Sequence, residues 1–285
     1  QIKGKGEIRM SEYLLSTSGL TKQFGHHKAV NNVDLHVKKG AIYGFIGRNG
    51  AGKTTFLKMI SGLSKPTDGE IQMFGYRNEE LKNVRSRISC LIEAPGIYGN
   101  MSAYHNLAIK CRLFGINDSK YIENILKIVG LSEVGKKKTK HFSLGMKQRL
   151  GIGLALVGEP DLLVLDEPIN GLDPQGIAEI RDMLLRLKEE QNMTIIISSH
   201  ILEELSKIAT HYGIIHNGSL IQELTREELM TRCSERMELT LDDPKAALPI
   251  LDQMGFTNYQ VVNQSTIHIY ERLNESAAVN MELAK

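Results

Sequence analysis

The feature that most constrains this chain is the stretch 47–55, which reads Gly-Arg-Asn-Gly-Ala-Gly-Lys-Thr-Thr. It fills every fixed position of the phosphate-loop pattern G-x-x-x-x-G-K-S/T. The apolar run 41–46 before it predicts a buried strand, and apolar residues at helical spacing follow it at Phe56, Leu57, Ile60 and Leu63. Because strand, glycine loop and helix are the context in which this pattern binds phosphate, we expect an α/β fold with a phosphate site here.

The residue types of this loop each have a physical task. Glycines let the backbone bend until successive N–H groups point at a phosphate, and the start of the next helix adds its own N–H groups. Lys53 is expected to reach the β- and γ-phosphates, and the Thr54 hydroxyl is expected to bind Mg²⁺. The predicted ligand is therefore ATP with Mg²⁺, and the predicted nucleotide-binding residues of the loop are Asn49, Gly50, Ala51, Gly52, Lys53, Thr54 and Thr55.

Polar residues also end two apolar runs further along the chain. Asp166 and Glu167 follow the run 162–165, and His200 follows the run 194–197 and two serines. Continuous apolar runs of this length are typical of buried parallel strands, whose carboxyl ends meet at one crevice of the sheet. Asp166 is predicted to hold Mg²⁺, Glu167 to polarise an attacking water, and His200 to contact the γ-phosphate.

Composition and charge exclude several classes of protein. The 285 residues carry a net charge of only +2, which argues against nucleic acid as the main partner. Three cysteines far apart in sequence support neither a zinc site nor a disulfide framework, and they indicate a reducing compartment. No uncharged apolar run approaches the roughly 20 residues that span a bilayer. Any role at a membrane therefore requires another chain.

The chain divides into segments of different character. Residues 1–10 are polar and patternless, as in an extension or a tag remnant, and short strands with turns follow them up to about residue 37. Phe24 is predicted on a turn, where it either stacks on adenine or packs as a satellite core residue. Helical periodicity dominates about 94–158, with a last helix that is predicted to open at His141. The segment 225–285 reads as a separate small α+β module of the order βαββα, whose last helix is either complete or cut short.

The ordered set of motifs resembles the ABC transporter ATPase cassette over about residues 11–224. The resemblance implies a P-loop NTPase fold with a RecA-like core, an antiparallel β subdomain and a helical insertion. It also implies that Phe24 and Val30 contact the nucleotide, that Glu167 and His200 are catalytic, and that Asp173 lies in the D-loop. The signature motif, which acts on the nucleotide of a second subunit, is matched by Ser143, Leu144, Gly145 and Met146.

Glu93 departs from the pattern of that family, which normally has Gln at the end of this strand. Together with the altered signature, this departure looks like the bacitracin and lantibiotic self-protection branch. The resemblance implies a coupling loop at Glu93 and a metal site of Thr54, Asp166 and Glu93. The alternative is that Glu93 is a tolerated substitute on a solvated loop.

The function implied is that of an ATPase subunit that dimerises with ATP and powers a separate membrane permease. The permease would export an antimicrobial peptide, with this subunit at the cytoplasmic face of the cell membrane. One alternative is an ABC-type ATPase that is not coupled to transport. Another is a small-molecule P-loop kinase, against which the signature motif and His200 argue.

Overall fold

The computed structural model describes residues 12–233 and 236–283, and the chain divides into two units between Arg226 and Glu227. The predicted extension 1–10 lies outside the described residues. In the larger unit the strands are β1 (Tyr13–Phe24), β2 (His27–Lys38), β3 (Ile42–Ile46), β4 (Asp68–Met73), β5 (Tyr76–Arg77), β6 (Ile88–Leu91), β7 (Leu162–Asp166), β8 (Thr194–Ser199), β9 (His211–His216) and β10 (Ser219–Thr225). The α-helices are α1 (Lys53–Ile60), α2 (Ala103–Leu113), α3 (Ser119–Ile128), α4 (Leu144–Leu156), α5 (Pro174–Gln191) and α6 (Leu202–Ser206), and α7 (Arg226–Cys233) begins at the boundary.

A six-stranded sheet of order β10-β9-β3-β8-β7-β6 forms the centre of the larger unit. Strands β9, β3, β8, β7 and β6 are parallel, and β10 pairs antiparallel to β9. Every residue of β7 and β8 is buried, as the apolar runs 162–165 and 195–197 predict. Ile46 pairs with Ser199 and Asp166 pairs with Ser198, so the carboxyl ends of β3, β8 and β7 are level with one another.

An antiparallel sheet of order β2-β1-β4-β5 packs against α1. Alternating residues of β1 and β2, such as Leu15, Val33 and Leu35, are fully buried and share one hydrophobic core with Phe56 and Leu57. The core therefore holds the helix that follows the phosphate loop. Both strands are longer than the sequence predicts, because β-bulges let the pairing continue through polar residues.

A buried tyrosine of β3 contacts β10 of the same sheet, and the same glutamate of β10 contacts β2 of the antiparallel sheet. The Tyr43 hydroxyl donates a 2.6 Å hydrogen bond to Glu223 Oε1, and His36 Nδ1 lies 2.8 Å from Glu223 Oε2. Burial raises the pKa of the Tyr43 hydroxyl well above its ordinary value, so this group stays protonated and keeps donating. The contact fixes the strand that leads into the phosphate loop.

Helices α2, α3 and α4 lie between β6 and β7, where the sequence predicts a helical insertion. Ser102 and Asp118 cap the first two, each accepting a hydrogen bond from a backbone N–H. In α4, a Cβ on Gly151 would lie 2.7 Å from Pro95 Cβ, and one on Gly153 would lie 3.3 Å from Ile125 and Val129. The glycines therefore allow α4 to approach its neighbours closely.

Two local expectations need correction. Phe24 is the last residue of β1 rather than part of a turn, because the backbone pairs Phe24 with His27 and the turn falls on Gly25 and His26. The helix predicted to open at His141 begins later, at Leu144. Residues 139–141 form a separate 3₁₀ turn, and the Ser143 hydroxyl caps α4 by accepting a hydrogen bond from Met146 N.

The smaller unit has a three-stranded antiparallel sheet and the predicted order βαββα. Its elements are β11 (Met237–Thr240), α8 (Pro244–Gln253), β12 (Tyr259–Val261), β13 (Thr266–Ile269) and α9 (Ser276–Leu283). The sheet order is β11-β13-β12, and a core that includes Leu251, Phe256 and Ile267 lies beneath it. None of the helices in the described ranges combines the length and the hydrophobicity that a bilayer crossing requires.

Candidate active site

The phosphate loop connects β3 to α1 through a backbone conformation that favours glycine. Gly50 and Gly52 have φ of 80° and 103°, a region that L side chains rarely adopt. A Cβ on Gly52 would also lie 2.4 Å from Ala29 O. Gly52 is the N-cap of α1, and no side chain within the described residues caps this helix. The first N–H groups of α1 are thus directed at a site for an anion.

Lys53 lies beneath this loop, with its side chain only 5% exposed. Its Nζ donates hydrogen bonds to Gly47 O at 2.6 Å and to Arg48 O at 3.3 Å. The same Nζ is 3.1 Å from Glu167 Oε1. One buried cation therefore contacts both the phosphate loop and the carboxylate at the end of β7.

A chain of short hydrogen bonds joins α1, β7 and β8. Thr54 Oγ1 donates to Asp166 Oδ2 at 2.6 Å, and Ser198 Oγ donates to Asp166 Oδ1 at 2.5 Å. Ser198 Oγ in turn accepts from Glu167 N at 2.9 Å. The sequence places Ser198 at a strand end but gives no sign of this bridging position, which depends on the register of β7 against β8.

Glu167 and His200 are brought together at the open end of the crevice. His200 Nδ1 lies 2.9 Å from Glu167 Oε2, and the two side chains are 33% and 20% exposed. Glu167 has φ of 48°, in the left-handed region, so the chain turns sharply after Asp166. Thus Lys53, Thr54, Asp166, Glu167 and His200 form one connected cluster. Within the described ranges, no three His, Cys, Asp or Glu side chains form a metal-binding group by themselves.

The hairpin turn between β9 and β10 supports the phosphate loop. Asn217 and Gly218 form the tight turn between β9 and β10, both with positive φ. Gly218 N donates to Ala51 O at 3.0 Å, and Gly218 O accepts from Asn31 N at 2.8 Å. The Asn-Gly pair in the sequence signals the turn, but only the fold shows that it contacts the loop.

The predicted signature residues lie at the N-terminus of α4, next to the predicted D-loop of the same chain. A Cβ on Gly171 would be 3.4 Å from Leu144 Cδ2, and Leu144 itself is 54% exposed. Asp173 caps α5 by accepting a hydrogen bond from Gly176 N at 3.0 Å. Within the described residues, no hydrogen bond connects residues 143–146 to the phosphate loop 47–55. The structure does not bring these two motifs together in one chain.

The remaining predicted nucleotide contacts differ in their exposure. Phe24 is 56% exposed, with Lys22 Nζ 5.1 Å from the centre of its ring, and its stacking on adenine stays a prediction. Val30 has no exposed surface and packs in the core. This geometry does not support a direct contact of Val30 with nucleotide, although the carbonyl of its neighbour Ala29 closely approaches Gly52. Asn49 is exposed and Thr55 is half-buried.

Glu93 is held apart from the connected cluster. It lies two residues after the end of β6, has φ of 65°, and its Oε1 is 2.6 Å from Lys58 Nζ on α1. Its side chain is 66% exposed. In this structure the carboxylate is engaged by Lys58 and not by Thr54 or Asp166, so its predicted place in a metal site requires the side chain to move.

Comparison with known proteins agrees with this arrangement. A family model described as ABC transporter matches residues 30–170. The chain is 44% identical over 271 residues to the bacitracin transport ATP-binding protein BcrA of Bacillus licheniformis, covering 94% of this chain and 88% of that protein. It is 43% identical over 210 residues to the lantibiotic transport ATP-binding protein SrtF of Streptococcus pyogenes, covering 74% and 90%. A solved ATP-binding cassette of an ABC transporter in its ADP conformation superposes with a TM-score of 0.69 at 27% identity, covering 78% of this chain and 94% of that one.

Proposed function

Because the chain belongs to the ABC transporter family of ATP-binding proteins, we propose that it hydrolyses ATP to power a membrane permease on a separate chain. The cargo that we propose is an antimicrobial peptide of the bacitracin or lantibiotic type, since relatives at 44% and 43% identity are named for transport of these compounds. The observation that carries the proposal is the convergence of five side chains at the carboxyl ends of neighbouring strands, namely Lys53, Thr54, Asp166, Glu167 and His200.

The phosphate loop and Lys53 are proposed to bind the triphosphate. The uncapped N–H groups of α1 suit an anion, and Lys53 Nζ already faces the interior of the loop. Lys53 contacts Glu167 in this structure, and a β- or γ-phosphate oxygen would compete for the same ammonium group. Phosphate binding would then release Glu167 for chemistry.

The oxygen atoms of Thr54 and Asp166 fit Mg²⁺. Octahedral Mg²⁺ holds its ligands at about 2.0–2.1 Å, so adjacent ligand oxygens stand about 2.9 Å apart. Thr54 Oγ1 and Asp166 Oδ2 are 2.6 Å apart, and Ser198 keeps the other Asp166 oxygen in place. We propose that these two residues hold Mg²⁺ together with phosphate oxygens. Bound there, the ion would offset the charge that develops on the transferred phosphoryl group.

Glu167 and His200 are proposed to act on the attacking water. Glu167 is partly exposed whereas Asp166 is buried, and a carboxylate within reach of a water can accept its proton. His200 lies 2.9 Å from Glu167, so it orients that carboxylate and presents its second ring nitrogen to the γ-phosphate. A small-molecule kinase would need a substrate hydroxyl in the position proposed here for water, and the family match favours hydrolysis.

The signature residues are proposed to bind the nucleotide of a second copy of this chain. The N-terminus of α4 has its own uncapped N–H groups besides the one that Ser143 caps, which makes it a second anion site within each chain. Since residues 143–146 have no hydrogen bond to the phosphate loop of the same chain, a head-to-tail dimer would bring each signature to the partner's ATP. Dimerisation should therefore depend on ATP.

Glu93 is proposed to couple ATP use to the permease, at the cytoplasmic face of the membrane. A Glu at this place brings a negative charge towards a triphosphate, whereas Gln would not. Metal or a basic group of the permease between the two would remove this repulsion. Coupling of this kind predicts that Glu93→Gln lowers peptide protection in cells more than it lowers ATP hydrolysis.

Cells that carry the permease with wild-type or Glu167→Gln chain provide the test. The wild type should raise the peptide concentration that the cells survive, and Glu167→Gln should not, although the variant subunit is present at equal abundance. Bacitracin and a lantibiotic are tested separately. If the purified wild type hydrolyses ATP but protects against no peptide, the alternative of an ATPase not coupled to export is favoured.

A further inference from the structure

Lys58 is a basic residue of α1 to which neither the family pattern nor the chemistry above gives a role. It lies four residues after Thr54 on the same helix, so the two residues share one face, where Cβ atoms at this spacing are about 5–6 Å apart. Its Nζ contacts Glu93 Oε1 at 2.6 Å. The Glu93 carboxylate is consequently held one helical turn away from the proposed ligand Thr54.

The backbone favours this placement of Glu93. Glu93 has φ of 65°, in the left-handed region that residues other than glycine seldom occupy. Such residues are found where the surrounding structure fixes them, and they are frequent in segments that switch. The direction of the side chain is thereby limited, and Lys58 is the cation that it meets.

The ion pair between Lys58 and Glu93 positions the carboxylate, but it is weak enough for a divalent cation to replace Lys58 as the partner. The Lys58 and Glu93 side chains are 37% and 66% exposed, and ion pairs in such positions contribute little because water and salt screen them. A bound divalent cation, with twice the charge and no flexible stem, is a stronger partner for a carboxylate than an exposed ammonium group.

We propose that Lys58 is a positioning residue that keeps Glu93 one turn from the metal site and yields it when the metal and nucleotide bind. The inference rests on the proposed function, because it assumes that Thr54 and Asp166 hold Mg²⁺ there. Lys58 and the metal compete for one carboxylate, so the pair sets how strongly nucleotide binding depends on Mg²⁺. Lys58 also prevents Glu93 from presenting an unpaired charge to the triphosphate.

The test compares the affinity for a non-hydrolysable ATP analogue with and without Mg²⁺. The ratio of these affinities is measured for wild type, Lys58→Gln, Glu93→Gln and the double variant. Removing Lys58 should raise the ratio about 1.5- to 5-fold, the range expected for an exposed ion pair, because Glu93 no longer has a competing partner. In the Glu93→Gln background the same substitution should change the ratio less, since no carboxylate remains to be released.

Controls separate this role from a general effect of charge. Lys120→Gln removes an exposed lysine of α3 and should leave the ratio unchanged. Lys58→Arg retains the cation and should restore the wild-type ratio, and Lys58→Met replaces Lys58→Gln if the latter does not fold. Equal changes in the two Glu93 backgrounds, or no change in either, would overturn the inference. Failure of the wild type to bind the analogue would instead contradict the proposed function.

Discussion

Two neighbouring parallel strands each end near a glutamate in a left-handed conformation, and the contacts of those glutamates differ sharply. Glu167 follows β7, is 20% exposed, and is held by Lys53, His200 and the hydroxyl of Ser198. Glu93 follows β6 and is 66% exposed. Within the described residues, its carboxylate has one hydrogen-bonding or ion-pair partner, which is Lys58. The first environment fixes a carboxylate for chemistry, and the second leaves one free to change partner.

The two environments also differ in how much free energy is lost when one of their contacts is removed. Removing one member of a buried hydrogen-bonded group leaves its partner desolvated and unpaired, at a cost of about 1–3 kcal/mol. An exposed ion pair contributes about 0.2–1 kcal/mol. We therefore expect substitutions at the end of β7 to affect catalysis and stability strongly, and substitutions at the end of β6 to affect mainly the response to metal and partner.

The largest effect is expected from Glu167→Gln. Replacing the general base by a neutral amide should lower kcat about 10²- to 10⁴-fold, whereas nucleotide binding is retained because Lys53 and the loop are intact. Steady-state hydrolysis and nucleotide affinity measure the two properties separately. The variant should also accumulate as a dimer with ATP and Mg²⁺ on a sizing column. A purely monomeric profile would contradict the head-to-tail scheme.

His200→Ala should have the next largest effect. A hydrogen bond to a charged group contributes about 1.5–3 kcal/mol, so loss of the contact to Glu167 should lower kcat roughly 10- to 100-fold. KM should change little, because His200 is proposed to act on charge that develops during transfer. His216→Ala, at an exposed histidine of β9, serves as control. A raised KM with unchanged kcat would show that His200 assists ground-state binding instead.

Ser198→Ala tests the bridge between the two acids. Loss of the hydroxyl should lower the free energy of unfolding by about 1–3 kcal/mol, since buried Asp166 and the Glu167 amide both lose a partner. It should also lower kcat about 10-fold because Glu167 is less well placed. Ser199→Ala is the matched control, because that equally buried hydroxyl bonds to Ile201 N and not to either acid. Equal losses in both variants would contradict a bridging role.

The sequence was sufficient for the elements that depend on local pattern. The loop 47–55, the buried runs before Asp166 and His200, and the Asn-Gly turn at Asn217 all follow from residue type and spacing. Ser198 was not identified, because its bridging position arises from the pairing of β7 with β8. Contacts between strands distant in sequence cannot be read from a local pattern.

The contacts of Lys58 and Gly218 could not be predicted from the sequence for the same reason. Lys58 reads as an ordinary surface residue of an amphipathic helix, and only the contact between α1 and the segment that follows β6 gives it a carboxylate partner. The sequence indicates only that Gly218 lies in a tight turn, yet its N–H donates a hydrogen bond to Ala51 O in the phosphate loop. For Phe24 the sequence predicts a turn and leaves open whether the ring is exposed or packed, whereas the structure exposes the ring at the end of β1, because bulged pairing extends that strand.

Glu93→Gln should have the smallest effect on the isolated chain. It loses one exposed ion pair, so the free energy of unfolding should change by less than about 1 kcal/mol. Denaturant unfolding, monitored with Lys58→Gln alongside, measures this change. Since both substitutions break the same pair, their effects on stability should be similar and should not add in the double variant. Additive losses would show that each residue has a further partner.

The most direct test of whether Glu93 and Glu167 have different roles is a rate of ATP hydrolysis. It is measured for purified Glu93→Gln beside wild type and Glu167→Gln, under saturating ATP and Mg²⁺. The geometry predicts that Glu93→Gln stays near the wild-type rate, because none of the contacts that hold Glu167 involves Glu93. A fall of Glu93→Gln to the rate of Glu167→Gln would contradict it, since both glutamates would then belong to one catalytic group.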